Sequence, residues 1–308
     1  MILFDILEKK TLLDNEYLKN LSDKANGLYS NFLIRKKNGG TRQIYHPSKE
    51  LKSIQKVLTE SFILELPIHP CATAYMKGSS IKNNAHAHKE NKYFLRMDFR
   101  NFFESISVGD VVNFCEVTFV DYFPNWSEED SKYFSKLVCY KNKIVMGAVT
   151  SPSLTNAMCF ELDKIIFQVC NNNSVTYTRY ADDLYFSCKE LKTLKMIEKE
   201  VKIIISGLKV PSSLSLNFDK TYHSSKKRRV LITGIVITND NKISIGRSKK
   251  RELRSKVFNW NKLESEEKAY LSGYLSYVKS IEPLFINVLC LKYGADVVSY
   301  ILSFNSIK

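Results

Sequence analysis

The fold and chemistry of this 308-residue chain are decided by the stretch VTYTRYADDLYFS, residues 175–187. β-Branched and aromatic residues on both sides predict two short strands, with Asp182 and Asp183 at the tip of the hairpin. Two adjacent carboxylates repel each other, so this arrangement is costly unless a cation neutralises them. Hard oxygen ligands favour Mg²⁺ or Mn²⁺. Because most Asp-Asp pairs are solvated turn residues, a metal site requires another acid from a different strand.

The other acid is Asp98, which ends a short apolar strand predicted for residues 92–99. An acid in this place can also cap the helix that follows, and the residue alone does not decide between the two roles. With Asp182 and Asp183 it supplies three carboxylates on neighbouring strands. Such a set can hold two metal ions roughly 3.5–4 Å apart for in-line nucleotidyl transfer. One ion would lower the pKa of the attacking 3′-hydroxyl, and the other would stabilise the triphosphate and the leaving pyrophosphate.

The remaining elements mix helices and strands without a regular βαβ rhythm. Helical spacing is found in residues 1–30, in 51–66 and in the last sixty residues. Hairpins are predicted across the turns at 38–40 and 239–241, the second joining strands at about 228–237 and 242–246. A further helix is predicted to follow Ser151 as its cap. The pattern therefore predicts an α+β fold rather than a doubly wound sheet.

The formal net charge of +14 indicates a polyanionic partner, either nucleic acid or an anionic membrane surface. Residues 220–256 hold twelve Lys or Arg against Asp240 and Glu252, which leaves +10 in this segment. Because this charge falls on predicted strands and helices, it favours a folded face for phosphates over lipid, with a solvated face as the alternative. The seven cysteines include no C-x-x-C pair, so we expect reduced thiols in the cytoplasm and no zinc site. No apolar run approaches the roughly 18 residues needed to cross a membrane.

A series of motifs makes the chain resemble bacterial retron reverse transcriptases, within the group II intron-like superfamily. The matching elements lie, in order, at residues 42–47, 84–88, 98–103, 147–156, 178–184, 217–221 and 232–234. One departure is Met146, which stands where the family usually has Gln before Gly147. As a set the motifs are highly specific, although any one of them alone would not be.

The resemblance implies roles for individual residues. Catalysis would rest on Asp98, Asp182 and Asp183, with Mg²⁺ (or Mn²⁺) held by Asp98, the Phe99 carbonyl, Asp182 and Asp183. The dNTP would be bound by Arg42, Lys36, Phe103, Gly147, Ala148 and Lys220. RNA would be contacted by Asn84, His88, Lys249, Lys250, Arg251 and Arg254. Two alternatives stay open: Lys220 either protonates pyrophosphate or pairs with phosphate, and His88 either touches RNA or packs inside.

The resemblance also implies a right-hand polymerase. Its parts would be fingers at 1–95, a palm with an antiparallel sheet and an interleaved fingers segment at 96–246, and a helical thumb at 247–308. The expected activity is RNA-directed DNA polymerisation, primed from the 2′-hydroxyl of an internal guanosine in a cognate structured non-coding RNA. The product would be branched single-stranded msDNA, serving anti-phage defence with an accessory effector protein, and host RNase H would remove the template. The alternatives are another group II intron-like or abortive-infection reverse transcriptase, or an RNA-binding scaffold that does not polymerise.

Overall fold

The computed structural model describes residues 1–35 and 39–304. The predicted dNTP ligand Lys36 therefore lies outside the described residues. The helices within the described part are α1 Ile2–Thr11, α2 Asn15–Lys24, α3 Lys49–Ser61, α4 Ile81–His88, α5 Phe102–Ser105, α6 Val108–Phe114, α7 Val120–Tyr122, α8 Glu128–Val138, α9 Ser151–Met158, α10 Phe160–Asn172, α11 Leu191–Ser206, α12 Arg247–Phe258, α13 Ser265–Ile281, α14 Pro283–Tyr293 and α15 Ala295–Ser303.

The strands form three sheets of different size. They are β1 Tyr29–Arg35, β2 Thr41–Pro47, β3 Tyr93–Asp98, β4 Thr176–Tyr180, β5 Asp183–Cys188, β6 Tyr222–Ser225, β7 Val230–Ile232, β8 Ile235–Ile237 and β9 Ile243–Ser244. Strands β1 and β2 make a hairpin, a four-stranded sheet has the order β4-β5-β3-β6, and a three-stranded sheet has the order β7-β8-β9. The α+β class expected from the sequence is confirmed.

The chain divides into two units. The first consists of Met1–Ser79 and Leu95–Tyr222, and the second of Ser80–Phe94 and His223–Lys308. Of the three boundaries between these segments, the one after Phe94 falls within β3 and the one after Tyr222 falls within β6. No helix among the described residues has both the length and the apolar character needed to cross a membrane.

In the first unit, helices cover the sheet and build its core. Helix α10 packs on β4, and α11 packs on β5. Leu194, Ile197 and Val201 on one face of α11 are buried. Apolar burial of this kind contributes about 1.5–3 kcal/mol for each large side chain. It holds β4 and β5, and therefore the turn between them, in a fixed position.

The second unit is a small sheet with helices. Helix α4 packs against β8, and α13, α14 and α15 pack on one another. The apolar side chains Leu271, Leu275 and Leu289 lie fully inside this helical group. The all-helical C-terminal segment expected from the sequence is thereby confirmed.

Two local predictions were wrong. Helix α9 begins at Ser151 with Thr150 in the cap position, and the Ser151 hydroxyl donates to the Val145 carbonyl oxygen at 2.7 Å instead of capping. The segment 228–237 is not one strand, because it turns at Thr233 and Gly234, which have φ of 47° and 84°. Two successive residues with positive φ are the requirement of a type I′ hairpin turn.

Candidate active site

The predicted acidic hairpin is confirmed as a hairpin between β4 and β5. Tyr180 pairs with Asp183, which leaves Ala181 and Asp182 as a two-residue loop. Ala181 has φ of 57°, in the left-handed region that most residues other than glycine and asparagine avoid. Strained backbone of this kind clusters at functional sites, because the surrounding structure has to hold it.

Asp98 lies against this turn. The Phe99 backbone N–H donates to the Asp182 carbonyl oxygen at 3.1 Å, which ties the end of β3 to the hairpin tip. The Asp98 side chain is almost completely buried. Burial, and then the charge of Asp98, raise the pKa of Asp182. Residues 84 positions apart in the sequence thus place their carboxylates in each other's electrostatic field.

Lys220 is brought to the same place by the segment before it. The Asn217 N–H donates to the Asp98 carbonyl oxygen at 2.7 Å, so residues 215–217 run beside the end of β3. A short 3₁₀ turn then directs Lys220 inward, and its Nζ donates to Asp98 Oδ1 at 2.8 Å. The lysine is 55% exposed while the carboxylate is buried. The ammonium therefore partly neutralises Asp98 and remains accessible from solvent.

Asp183 has partners of its own. Arg96 donates to Asp183 Oδ1 from Nε at 3.0 Å and from Nη2 at 2.7 Å, and the Tyr185 hydroxyl donates to Oδ2 at 3.0 Å. Burial raises the pKa of Asp183 to about 6, although the Arg96 guanidinium acts in the opposite direction. Sequence reasoning missed Arg96. The signal was present, because residues two apart on a strand share a face, and Arg96 stands two before Asp98.

The donor set suits a hard divalent cation, but its members are engaged elsewhere. Among the described residues, no three His, Cys, Asp or Glu side chains are grouped closely enough to hold a metal ion. Asp98 bonds Lys220, and Asp183 bonds Arg96. Asp98 is buried and Asp182 partly buried, and the negative charge of Asp98 nevertheless acts on Asp182 and raises its pKa further after burial. A divalent cation would relieve that repulsion.

Arg42 faces these acids from β2. Its side chain is exposed, and its positive charge acts to lower the pKa of Asp182 and of Tyr75. Tyr75 was not predicted as a site residue. It is half exposed, has φ of 61°, and its pKa is raised by burial and by the charge of Asp182. Arg42 and Tyr75 therefore border the acidic turn from outside the palm strands.

Gly147 is required by a close backbone contact. Its φ is +111°, and a Cβ atom there would lie 2.3 Å from the Tyr45 carbonyl oxygen. The Tyr45 N–H donates to the Met146 carbonyl oxygen at 2.9 Å, so β2 docks on this loop. The Gln55 Oε1 on α3 accepts a hydrogen bond from the Val149 N–H at 3.2 Å, which holds the loop around Gly147 against that helix. The structure shows Gly147 in close contact with β2. A contact of Gly147 with the nucleotide stays a prediction. Ala148 is buried, and its contact with the nucleotide also stays a prediction.

The two phenylalanines after Asp98 differ in packing. Phe102 stacks on Phe99, with ring centroids 5.4 Å apart and planes 20° apart. Phe103 meets Phe102 edge to face at 5.3 Å and is 7% exposed. Phe102 is therefore the ring fixed in the core on two sides. Phe103 stays the candidate for a contact with the sugar.

A buried ion pair supports the acidic turn from inside, and sequence reasoning missed it as well. Arg179 is fully buried and donates to Asp163 from Nη2 at 2.6 Å and from Nε at 2.9 Å. Its Nη1 donates to the Ala181 carbonyl oxygen at 3.2 Å and to Asn156 Oδ1 at 3.1 Å. The Tyr177 hydroxyl donates to Asp163 at 2.8 Å. The guanidinium thus links α9 and α10 to the strained residue of the turn.

The predicted RNA contacts in the second unit fall into two groups. Asn84 and His88 on α4 are both completely buried, which favours the packing alternative for His88 over contact with RNA. On α12, Lys249 pairs with Glu252 at 2.8 Å and Lys250 pairs with Glu282. Arg251 is exposed, and the Arg254 guanidinium lies 5.2 Å from the centre of the Phe285 ring.

The fold and the acidic turn define a class of protein, the reverse transcriptases. Residues 34–237 match the family model described as reverse transcriptase (RNA-dependent DNA polymerase). The chain also resembles the telomerase of Candida tropicalis, with a TM-score of 0.53 and 12% identity, over 88% of this chain and 58% of that one. A telomerase of Candida albicans, solved with a fragment of telomeric RNA, gives a TM-score of 0.50 and 11% identity, over 91% of this chain and 66% of that one. At these identities the likeness shows the right-hand polymerase fold alone.

Curated relatives narrow the class further. The chain is 31% identical to the retron Ec83 reverse transcriptase of Escherichia coli, over 90% of both chains. It is 30% identical to the retron Ec86 reverse transcriptase of the same species, over 94% of this chain and 90% of the relative. This chain belongs to the retron reverse transcriptases, and it is an RNA-directed DNA polymerase.

Proposed function

We propose that this polymerase makes the branched DNA of a retron. In this proposal it binds a structured non-coding RNA in the cytoplasm and primes from the 2′-hydroxyl of an internal guanosine. It copies part of that RNA into msDNA that stays in the complex, while host RNase H removes the template. An accessory effector protein completes an anti-phage system. The near full-length similarity to retron reverse transcriptases supports this reading.

The observation that carries the chemical part is the convergence of Asp98 with Asp182. The hydrogen bond from the Phe99 N–H to the Asp182 carbonyl oxygen holds the end of β3 against the hairpin tip, and burial, followed by the charge of Asp98, raises the pKa of Asp182. These residues, with Asp183 and the Phe99 carbonyl, would hold Mg²⁺ or Mn²⁺. When bound, the metal pair supplies an activated hydroxyl nucleophile and charge neutralisation for the triphosphate.

The other residues act on the substrate directly. Lys220 holds Asp98 in place and, half exposed, can turn to donate a proton or a charged hydrogen bond to the leaving pyrophosphate. Arg42, exposed on β2 and close enough to influence Asp182, would clamp the triphosphate together with Lys36. Phe103 would exclude a 2′-hydroxyl from beneath the sugar. Gly147 and Ala148 would border the base or the sugar.

The subdomains follow the same proposal. The β1-β2 hairpin and the N-terminal helices would be fingers, the four-stranded sheet the palm, and residues 247–308 the thumb. The loop around Gly147 is joined to β2 by the hydrogen bond from the Tyr45 N–H to the Met146 carbonyl oxygen. This contact would couple the finger hairpin to the nucleotide site.

The test is synthesis by purified protein with the RNA transcribed from its own locus, Mg²⁺ and dNTPs. We expect DNA joined to RNA through a 2′–5′ bond, which debranching enzyme releases. Asp182→Asn should lower incorporation by at least about 1,000-fold, as expected for loss of a principal charge-stabilising group. The matched control is Asp219→Asn, since Asp219 is exposed on the neighbouring turn. Product that resists debranching would overturn the priming proposal, and full activity of Asp182→Asn would overturn the site.

A further inference from the structure

A basic groove lies entirely within the second unit. Its volume is about 610 Å³. Its charged lining consists of five cations and one acid, namely Lys226, Lys227, Arg228, Arg229, Arg247 and Asp240. Asp240 is already paired with Lys242 at 2.8 Å. The groove therefore carries a concentrated positive charge that its own acid does not neutralise.

The cations of this groove are presented by a fixed turn. The Arg228 N–H donates to the Ser225 carbonyl oxygen at 2.9 Å, which closes the turn between β6 and β7. Lys227, Arg228 and Arg229 are all exposed on it. Within the described part of the chain, none of the three forms an ion pair. They contrast with Lys249 and Lys250 on α12, whose ammonium groups already bond carboxylates.

The opposite wall is the first turn of α12. This turn has no acidic residue and no side-chain cap, and it begins with Arg247. The Arg229 guanidinium reaches it, because a Cβ atom on Gly246 would lie 3.6 Å from Arg229 Nη2. Helix N-termini are stabilised by negative charge, so cations at this end add to the local positive potential. An anion in the groove would meet side-chain cations and the helix end together.

We infer that this groove binds the phosphodiester backbone of RNA and is a main phosphate contact of the second unit, in place of Lys249 and Lys250. The choice of RNA as the ligand rests on the proposed function. Concave shape and unpaired guanidinium groups suit phosphates, which arginine contacts in a bidentate manner. None of the described residues that line the groove is an exposed large apolar side chain, whereas binding to a membrane surface normally adds apolar insertion.

The experiment measures the salt dependence of binding to a fluorescently labelled RNA stem-loop, using the full chain. The test variant is Lys227→Gln/Arg228→Gln/Arg229→Gln. The charge-matched control is Lys9→Gln/Lys10→Gln/Lys19→Gln, which removes three exposed cations from α1 and α2. Losing two to three phosphate contacts should lower the slope of log K against log salt by about 2. If affinity at 1 M salt is unchanged, that slope corresponds to roughly 100-fold weaker binding at 0.1 M.

Each outcome decides the inference. A lower slope in the test variant, with the control unchanged, supports it. An unchanged slope overturns it, as does an equal loss in the control, which would show an effect of net charge only. Parallel titrations use single-stranded DNA and vesicles of phosphatidylserine and phosphatidylcholine, and a defect confined to either one also overturns it. The binding experiment contains no dNTPs and does not depend on DNA synthesis. Inactivity in the synthesis assay would therefore overturn the proposed function, while the salt dependence of RNA binding could still be interpreted.

Discussion

Replacing Asp163 by Asn should destabilise the first unit strongly, because it leaves the Arg179 charge without its counter-ion. Both side chains are completely buried, and Asp163 accepts three charged hydrogen bonds from Arg179 and one from Tyr177. Removing one partner of a buried ion pair costs about 3–5 kcal/mol. The total stability of a domain is only about 5–15 kcal/mol. The variant should therefore lose about a fifth or more of its free energy of unfolding.

The assay is urea unfolding followed by tryptophan fluorescence in a Trp260→Phe background. The chain has two tryptophans, so Trp126 then reports the first unit alone. Lys164→Gln is the neighbouring control, because its pair with Glu161 is half exposed and worth at most about 1 kcal/mol. A loss below about 1 kcal/mol in Asp163→Asn would refute the claim that this pair is a buried, unscreened interaction.

A double variant separates stability from positioning. Asp163→Leu/Arg179→Met removes both charges, and such apolar replacements of buried pairs are often neutral or stabilising, by about 1–4 kcal/mol. It also removes the hydrogen bond from Arg179 to the Ala181 carbonyl oxygen, which steadies the strained turn. We expect stability near that of the wild type but polymerisation slower by at least about tenfold, since small misplacements of catalytic groups are costly. Full activity would show that the guanidinium supports folding only.

Two further predictions concern other contacts. Gly147→Ala should lower the free energy of unfolding by about 1–3 kcal/mol and weaken the use of dNTP. The reason is that the new Cβ would collide with the Tyr45 carbonyl oxygen and that φ at this position is +111°. An unchanged melting temperature would contradict this prediction. Burial lowers the pKa of His88 to about 3, against about 6.5 in the unfolded chain. Between these values only the unfolded state takes up the proton, so stability should fall with decreasing pH by up to about 1.4 kcal/mol per unit. His88→Gln should abolish that component, which matched urea titrations of both proteins at pH 7 and 5 would measure.

The elements of the site could be predicted because their signals are local. Alternation of β-branched and aromatic residues around Asp182 and Asp183 defines two strands and a tight turn without reference to the rest of the chain. The apolar run before Asp98 likewise predicts strand β3 from local sequence. Helical periodicity identified the C-terminal helices for a similar reason. Motif order then placed Asp98 and the hairpin in one site.

The partners of these elements could not be predicted, because they depend on how distant strands and helices pack. Nothing local shows that Arg179 lies in a dry interior or that Asp163, on another element, meets it. The docking of Tyr45 on Gly147 has the same origin. Lys249 and Lys250 were predicted as RNA contacts; Lys249 pairs with Glu252 three residues further along α12, whereas only packing shows that Lys250 pairs with Glu282. Charge in a sequence therefore indicates a class of partner, whereas pairing in the fold selects the groups left to meet it.

The turn at Thr233 and Gly234 was missed for a different reason. Its flanks are apolar and β-branched throughout, so periodicity alone favoured one long strand over two short ones. Both turn residues have positive φ. Glycine at the second turn position was the one local feature that indicated a hairpin turn. The turn matters for the basic groove, because Val236 and Ile237 of β8 line the groove together with Arg229.

The proposed metal site can be tested by titration with Mn²⁺, in which electron paramagnetic resonance measures the free ion in the presence of dNTP and an RNA stem-loop. We expect two bound ions for the wild type and for Asp219→Asn. Asp98→Asn and Asp182→Asn should each lose at least one of them, in parallel with their loss of DNA synthesis. Undiminished Mn²⁺ binding by both of these variants would contradict the claim that the acids at the end of β3 and at the hairpin tip hold the metal ions together.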